Sequence, residues 1–184
     1  ILAVAKDSGF FDSRPMDPVI CGHSLGGYMS TSAAHQSRNP IQGVIMIDSP
    51  IRPPDYDYST HERSGPIRRI KTYPDKETIL ERFRLTPEQD CENKYILDYI
   101  AKWSIRESNG GYEWKFDDSL FEKLGFGHMT RSIAFELSCN LGILYGTKSS
   151  MFSDDILSYA KSSAKKGTRI IPIEDAAHHI PLDQ

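Results

Sequence analysis

The sequence predicts an α/β fold built on a parallel sheet, and three observations support that prediction. Four short apolar runs, rich in β-branched residues, are typical of buried parallel strands. Helix-like segments separate the first run from the second and the third from the fourth, as strand–helix–strand units require. The 184 residues suit one domain, or one domain with an insertion. The four runs are Pro18–Cys21, Gly43–Ile47, Leu141–Tyr145 and Arg169–Ile173.

End signals place two helices between these strands. The first is predicted from about Gly26 to His35. The second is predicted to begin after Ser153, a fair N-cap, and to run to about Lys166, with Gly167 just beyond it. These two helices complete the strand–helix–strand units on which the parallel sheet depends.

The long region between the second and third strands is predicted to be a helical cap over the carboxyl edge of the sheet. The cap covers residues 51–138, and the core consists of residues 1–50 and 139–184. Three helical stretches are expected in the cap: "DKETILERF" (75–83), "NKYILDYIAKWSIRE" (93–107) and "HMTRSIAFEL" (128–137).

Composition excludes several classes of partner. Hydrophobic residues make up 39 % of the chain, charged residues 26 %, and the formal net charge is -3. This balance predicts neither a nucleic-acid partner nor an anionic membrane partner. The three cysteines, Cys21, Cys91 and Cys139, lack metal-site spacing and are interpreted as reduced thiols of a cytoplasmic protein.

The stretch Gly22-His23-Ser24-Leu25-Gly26 follows the first strand and opens the first helix. In this pattern a serine stands at a sharp strand-to-helix turn, and glycines two residues away on either side relieve steric clashes. The turn would present the hydroxyl at the carboxyl end of the strand, and the Leu25 N–H would face a developing oxyanion. The alternative interpretation is a structural glycine turn with an idle serine.

A serine nucleophile needs a base. His178 and His179 follow the last strand at the carboxyl edge, where ligands bind in open α/β sheets, and usually only one of two adjacent side chains reaches a given point. His23 is expected to pack beside the turn with its ring pointing away from the hydroxyl.

The base in turn needs a carboxylate partner. Asp48 comes directly after the second strand and is the preferred candidate. Asp154 and Asp155 follow the third strand, but a helix start explains both, so Asp154 is kept as the reserve acid.

Two strings resemble the α/β-hydrolase superfamily. "VICGHSLGG" is similar to its nucleophile turn, and "PIEDAAHHIPLDQ" to its final histidine segment. The Leu-Asp-Gln tail places the catalytic histidine of this resemblance on His178 rather than His179. The insertion strings "RFRLTPEQ" and "GYEWKFD" resemble an uncharacterised bacterial subgroup of capped hydrolases. The resemblance implies a triad of Ser24, His178 and Asp48, an oxyanion donor at Leu25, and no cofactor or metal.

The sequence departs from the superfamily pattern in two places. Many members carry the acid after the strand before the last helix, where this chain has Ser149; others carry it one strand earlier, which Asp48 matches. A full member has about eight strands, of which only the last four are visible here. We therefore expect an amino-terminal half, as part of a longer chain, to supply the other strands and a second oxyanion donor.

The resulting functional hypothesis is a serine hydrolase that cleaves an ester-like bond of a small molecule through an acyl-enzyme. Alternatives are a carbon–carbon bond hydrolase or acyltransferase with the same triad, or a non-catalytic ligand-binding protein. A metal enzyme using His178, His179 and Asp183 ranks below these, because that spacing matches no common site. The oligomeric state stays open between a monomer and a homodimer. Candidate pocket residues are His23, Tyr56, Tyr58 and Trp103.

Overall fold

The computed structural model describes residues 1–12, 16–56, 71–108, 110–117 and 133–184. The chain divides into two compact units. The first contains residues 1–55, 130–182 and 184, and the second contains residues 56–129 and 183. The predicted cap covered residues 51–138, and its position over the sheet edge stays a prediction. Within the described residues, every helix is too short or too polar to cross a membrane.

The first unit is built on a four-stranded parallel sheet, which confirms the predicted fold class. The strands are β1 Val19–His23, β2 Gly43–Ile47, β5 Asn140–Gly146 and β6 Arg169–Ile173. Their order in the sheet is β1-β2-β5-β6, with β1 at one edge of the described sheet. Strands β2 and β6 have the predicted bounds. Strands β1 and β5 end later than predicted, at His23 and Gly146, so β1 ends directly before Ser24.

Helices cover this sheet, and small side chains allow one of them to approach closely. In the described residues, the helices of the first unit are α1 Leu2–Asp7, α2 Leu25–Gln36, α5 Ile133–Glu136, α6 Asp154–Ser163 and α7 Ile180–Asp183. Helix α2 has Gly27, Ser30 and Ala33 buried.

Helix α6 begins as predicted but ends earlier than predicted. The Ser153 hydroxyl accepts a hydrogen bond from the N–H of Ile156, which makes it the N-cap. The helix stops at Ser163 rather than near Lys166. Ala164 is extended there, with φ -67° and ψ 137°, and ends the helix. Beyond it, the Lys165 ammonium donates to the carbonyl of Leu137 at 3.0 Å, and Gly167 has φ +98°.

The hydrophobic core lies around the two central strands. Val44 and Met46 of β2 and Leu141 and Ile143 of β5 are buried, together with Ile51, Ala134 and Leu137. Val44 and Met46 lie on one face of β2 and are buried, whereas Ile45 and Ile47 on the other face are half-buried. The core therefore holds the carboxyl ends of β2 and β5 in a fixed relationship.

In its described residues, the second unit contains two short helices and a hairpin that the sequence analysis missed. Its elements are α3 Lys76–Leu80, α4 Lys94–Trp103, β3 Ile105–Ser108 and β4 Gly111–Trp114. The prediction of one helix across residues 93–107 is wrong beyond Trp103, since β3 and β4 pair there as antiparallel strands. Arg106 and Glu113 face each other across the hairpin at 3.6 Å, and Gly110 turns it with φ +80°.

Candidate active site

Ser24 stands at the junction between β1 and α2 in a backbone conformation that is rare for a residue with a side chain. Its φ is 53° and its ψ is -120°. Such conformations cost on the order of 1–3 kcal/mol and persist only where the surroundings enforce them. One enforcing contact continues the sheet ladder, because the Ser24 N–H donates to the carbonyl of Ile47 at 2.9 Å.

The glycines that this turn requires differ in part from the predicted ones. A Cβ on Gly22 would lie 2.1 Å from the carbonyl oxygen of Gly26, so glycine is required there, as expected. A Cβ on Gly26 would meet nothing within 4 Å, so the expected clash at that position is wrong. The second close approach is at Gly27, whose Cβ would lie 2.1 Å from the Ser49 oxygen. That serine hydroxyl donates to the Ser24 carbonyl at 2.7 Å and so braces the turn.

Asp48 follows β2 directly, with φ 46° and no solvent exposure. Its N–H donates to the carbonyl of Leu144 at 2.8 Å, which continues the ladder to β5. Its Oδ1 accepts from the N–H of Gly146 at 2.8 Å, and its Oδ2 accepts from the Ser149 hydroxyl at 2.6 Å. Buried carboxylates need such donors, because desolvation of an unpaired charge is costly.

His178 joins Asp48 to Ser24. Its Nδ1 donates to Asp48 Oδ2 at 2.7 Å, since a carboxylate can only accept, and its Nε2 lies 3.0 Å from Ser24 Oγ. The tautomer with the proton on Nδ1 leaves a lone pair on Nε2 for the serine hydroxyl. The His178 side chain is 3 % exposed, so its hydrogen bonds operate largely out of water.

The other two histidines near the turn surround His178. His23 Nε2 donates to the His178 carbonyl at 2.8 Å, while the predicted direction of the His23 ring relative to Ser24 stays a prediction. Burial lowers the pKa of His23, and the hydrogen bond to that carbonyl opposes the shift. The ring of His179 lies 4.8 Å from that of His178 and 5.5 Å from that of His23, centroid to centroid.

The remaining predicted site residues have different outcomes. Leu25 is the first residue of α2, where a helix has no internal acceptor for its N–H. Asp154 is exposed in the first turn of α6, in agreement with the helix-start interpretation. Tyr56 and Trp103 belong to the second unit, and their place in a pocket stays a prediction. Tyr58 lies outside the described residues.

A cavity of about 1070 Å³ lies within the second unit, and it is lined by residues between Lys76 and Lys115. Neither Ser24, Asp48 nor His178 lines it. The hydrogen-bonded serine, histidine and aspartate lie in the first unit, so the candidate active site is there rather than in this cavity.

Two supports of the Asp48 carboxylate were missed by the sequence analysis. Ser149 was noticed only as a departure from the superfamily pattern, yet its hydroxyl reaches Asp48. The other donor is the backbone N–H of Gly146, and because nearly every residue has such a group, the sequence does not indicate this contact. The available signal was the place of Ser149 itself, since the resemblance noted in the sequence expects an acid at that position.

Comparisons with known proteins agree on the fold. No protein-family profile and no curated protein sequence matches the chain. Among solved structures, the thioesterase domain from the curacin biosynthetic pathway is 16 % identical, with a TM-score of 0.67, over 97 % of this chain and 67 % of its own length. The peroxisomal α/β-hydrolase Lpx1 from Saccharomyces cerevisiae is 14 % identical, with a TM-score of 0.71, over 98 % and 53 %.

A third similar structure is a Mycobacterium tuberculosis esterase for which transition metal inhibition is described. It is 16 % identical, with a TM-score of 0.65, and the match covers 100 % of this chain and 63 % of the esterase. The chain thus spans between about half and two thirds of the length of these structures. The parallel sheet, the strained serine turn and these structural neighbours agree, and the chain has the fold of the α/β-hydrolase superfamily.

Proposed function

We propose that this chain is the catalytic part of a serine hydrolase that cleaves an ester-like bond of a small molecule. The observation that carries the proposal is one continuous line of hydrogen bonds, from Asp48 Oδ2 to His178 Nδ1 at 2.7 Å and from His178 Nε2 to Ser24 Oγ at 3.0 Å. Nucleophile, base and orienting acid in this order are the parts that acyl transfer needs.

The proton path follows from the acceptor and donor roles of these atoms. His178 Nε2 takes the proton of Ser24 as Oγ bonds to the substrate carbonyl carbon. Asp48 stabilises the imidazolium that forms and keeps the ring in place. Nε2 then gives the proton to the leaving oxygen as the carbon–oxygen bond breaks. Water repeats the path on the acyl-serine, which releases the acid and restores Ser24.

The carbonyl oxygen becomes negative in the tetrahedral intermediate, and the Leu25 N–H at the start of α2 is the donor that we propose for it. Loss of a single donor of this kind typically costs about 10²–10³ in rate. We further propose that an amino-terminal portion of a longer chain provides a second donor. This is supported by the longer structural neighbours and by the position of β1 at one edge of the described sheet.

Names among the neighbours guide the choice of substrates. They include esterases and a thioesterase domain, so a test panel contains p-nitrophenyl esters of increasing chain length and acyl thioesters. Acyl transfer to an acceptor other than water, and carbon–carbon bond cleavage, use the same triad and remain alternatives. The predicted cytoplasmic location is likewise retained as part of this proposal.

Covalent labelling with a fluorophosphonate tests the proposal without knowledge of the substrate. The full chain should be labelled at Ser24, and the site is identified by mass spectrometry of the labelled peptide. Ser24→Ala should abolish labelling. Ser162→Ala is the matched control, because Ser162 is an exposed helical serine whose hydroxyl donates to the carbonyl of Tyr159 in its own helix.

A folded protein that resists the probe would contradict the proposal. Circular dichroism and a cooperative thermal transition establish the folded state in each variant. Such a result would favour the remaining alternative, a ligand-binding protein that keeps the α/β-hydrolase fold without its chemistry.

A further inference from the structure

Three imidazoles meet at the serine turn, although the proposed hydrolysis uses only one of them. His23 comes from the turn after β1, and His178 and His179 come from the loop after β6. One ring nitrogen from each lies within 4.8 Å of the other two. The rings are in contact, with centroids 4.7 Å apart for His23 and His178. All three belong to the first unit.

Three neutral imidazoles are a good ligand set for borderline divalent metals. Zinc–nitrogen bonds of about 2.0–2.1 Å in a tetrahedron place the nitrogens roughly 3.4 Å apart. The cluster therefore has to contract by on the order of 1 Å at its widest separation. His178 is buried and fixed by Asp48, so the adjustment falls on His23 and His179, which are half-buried.

The nitrogen that His178 offers to a metal is fixed by its partners. Nδ1 donates to Asp48, so Nε2 supplies the lone pair. That same lone pair accepts the hydroxyl of Ser24. A metal on Nε2 and a proton transfer from Ser24 are therefore mutually exclusive. Asp48 behind Nδ1 also strengthens Nε2 as a ligand, as carboxylate–histidine–metal arrangements do.

We propose that a divalent transition metal ion of the Zn²⁺, Cu²⁺ or Ni²⁺ class binds across His23, His178 and His179 and blocks the activation of Ser24. Imidazole ligands favour these ions over Mg²⁺ and Ca²⁺, which prefer oxygen. A water completes a tetrahedral site. The blocking part of this inference rests on the proposed hydrolase function, whereas the binding part rests on the three side chains alone.

Isothermal titration of the full chain with Zn²⁺ tests the binding part. We expect one site in wild type, and at least tenfold weaker binding in His23→Gln and in His179→Gln. His35→Gln is the matched control, since His35 is an exposed histidine of α2. Cys21→Ser controls for the exposed thiol two residues before His23 and should bind as wild type does.

Ser24→Ala separates binding from catalysis. It removes the hydroxyl that competes for Nε2, so Zn²⁺ should bind it at least as tightly as wild type. No Zn²⁺ site in wild type, or unchanged affinity in both His23→Gln and His179→Gln, would overturn the inference. These measurements need no turnover and stand if the hydrolase proposal fails.

Labelling by the fluorophosphonate tests the blocking part. Zn²⁺ at a saturating concentration should slow labelling of wild type at least tenfold, a chelator should restore it, and Mg²⁺ should have no effect. If Zn²⁺ binds and labelling proceeds at full rate, the ion does not reach Nε2 and the blocking part is wrong. If wild type without metal is not labelled, the proposed function fails instead.

Discussion

The hydroxyl of Ser149 donates to Asp48 Oδ2 at 2.6 Å, the same oxygen that accepts the Nδ1 proton of His178 at 2.7 Å. The hydroxyl also accepts from the N–H of Met151 at 3.2 Å, which fixes its direction. A neutral serine thus stands beside an acid carried by the neighbouring strand β2. Its expected role is to position the carboxylate rather than to react.

Removal of the Ser149 hydroxyl should lower turnover moderately. A hydrogen bond to a charged group contributes about 1.5–3 kcal/mol, so Ser149→Ala should reduce kcat by roughly 10–100-fold with little change in KM. Ser149→Thr, which keeps the hydroxyl, should recover most of the rate. A change in KM alone, with kcat unchanged, would contradict a role of Ser149 in aligning Asp48 and His178. Steady-state kinetics on the best ester of the panel measures both.

Replacement of Asp48, the proposed triad acid, should lower kcat far more than replacement of Asp154, the reserve acid. Asp48→Asn keeps the shape but removes the charge that holds the imidazolium, so kcat should fall by about 10⁴. Asp154→Asn alters an exposed first-turn residue of α6 and should leave kcat within twofold. Full activity in Asp48→Asn together with loss in Asp154→Asn would show that the acid is misassigned. Circular dichroism checks that both variants fold.

The two motif glycines should respond differently to the same small change. Gly22→Ala places a Cβ 2.1 Å from the backbone oxygen of Gly26, so the turn has to move. We expect it to abolish labelling of Ser24 and to destabilise the protein by roughly 1–3 kcal/mol. Gly26→Ala meets open space in a helix, and should raise stability by about 0.5–1 kcal/mol. Thermal unfolding compares the two, and equal destabilisation would refute this account of the turn.

The cap of α3 should give the second unit a pH-dependent stability. Asp75 accepts the Thr78 N–H at 2.7 Å, and this hydrogen bond lowers the pKa of Asp75 below 3.8. A carboxyl whose pKa is lowered by folding contributes stability above its unfolded value, and that stability is lost as the pH falls through the folded value. Asp75→Ala should therefore lower the melting temperature at pH 7, and the difference from wild type should shrink in acid.

Asp75→Asn is the matched variant for this prediction. Asparagine also caps helices but carries no charge, so it should unfold near the wild-type temperature at pH 7 without the added acid sensitivity. Melting curves from pH 2.5 to 7 make the comparison. A constant difference between wild type and Asp75→Ala over this range would contradict the titration of the cap.

The strands and the three converging site residues could be predicted because their signals are local. Continuous apolar runs mark strands buried on both faces, and a polar residue directly after such a run must lie at the carboxyl edge. The same reasoning places Asp48 and Ser24 at one edge of the sheet on neighbouring strands. The hydrogen bond from Ser149 could not be placed this way, since it depends on how a loop folds back 101 residues later.

The hairpin of the second unit was not predicted, because the strong helical pattern of α4 directly precedes it. Helix α4 has a pronounced apolar face, and the residues after Trp103 were read as its continuation. The Asn-Gly pair at 109 and 110 is a hairpin signal, and Gly110 takes the positive φ that such a turn needs. Tertiary pairing, including a bridge between Tyr73 and Tyr112, then favours strands over the helix.

The N–H groups of Ser24 and Asp48 are both held by carbonyls of adjacent strands, at 2.9 and 2.8 Å. The proposed nucleophile and acid are thus each held one step past the end of a strand by main-chain hydrogen bonds, together with the close approaches at Gly22 and Gly27. Sequence changes in segments outside these strand ends can therefore proceed without disturbing the proposed reactive groups. Selection for new specificity on this framework should accumulate changes away from β1 and β2, while these two strand ends stay as they are.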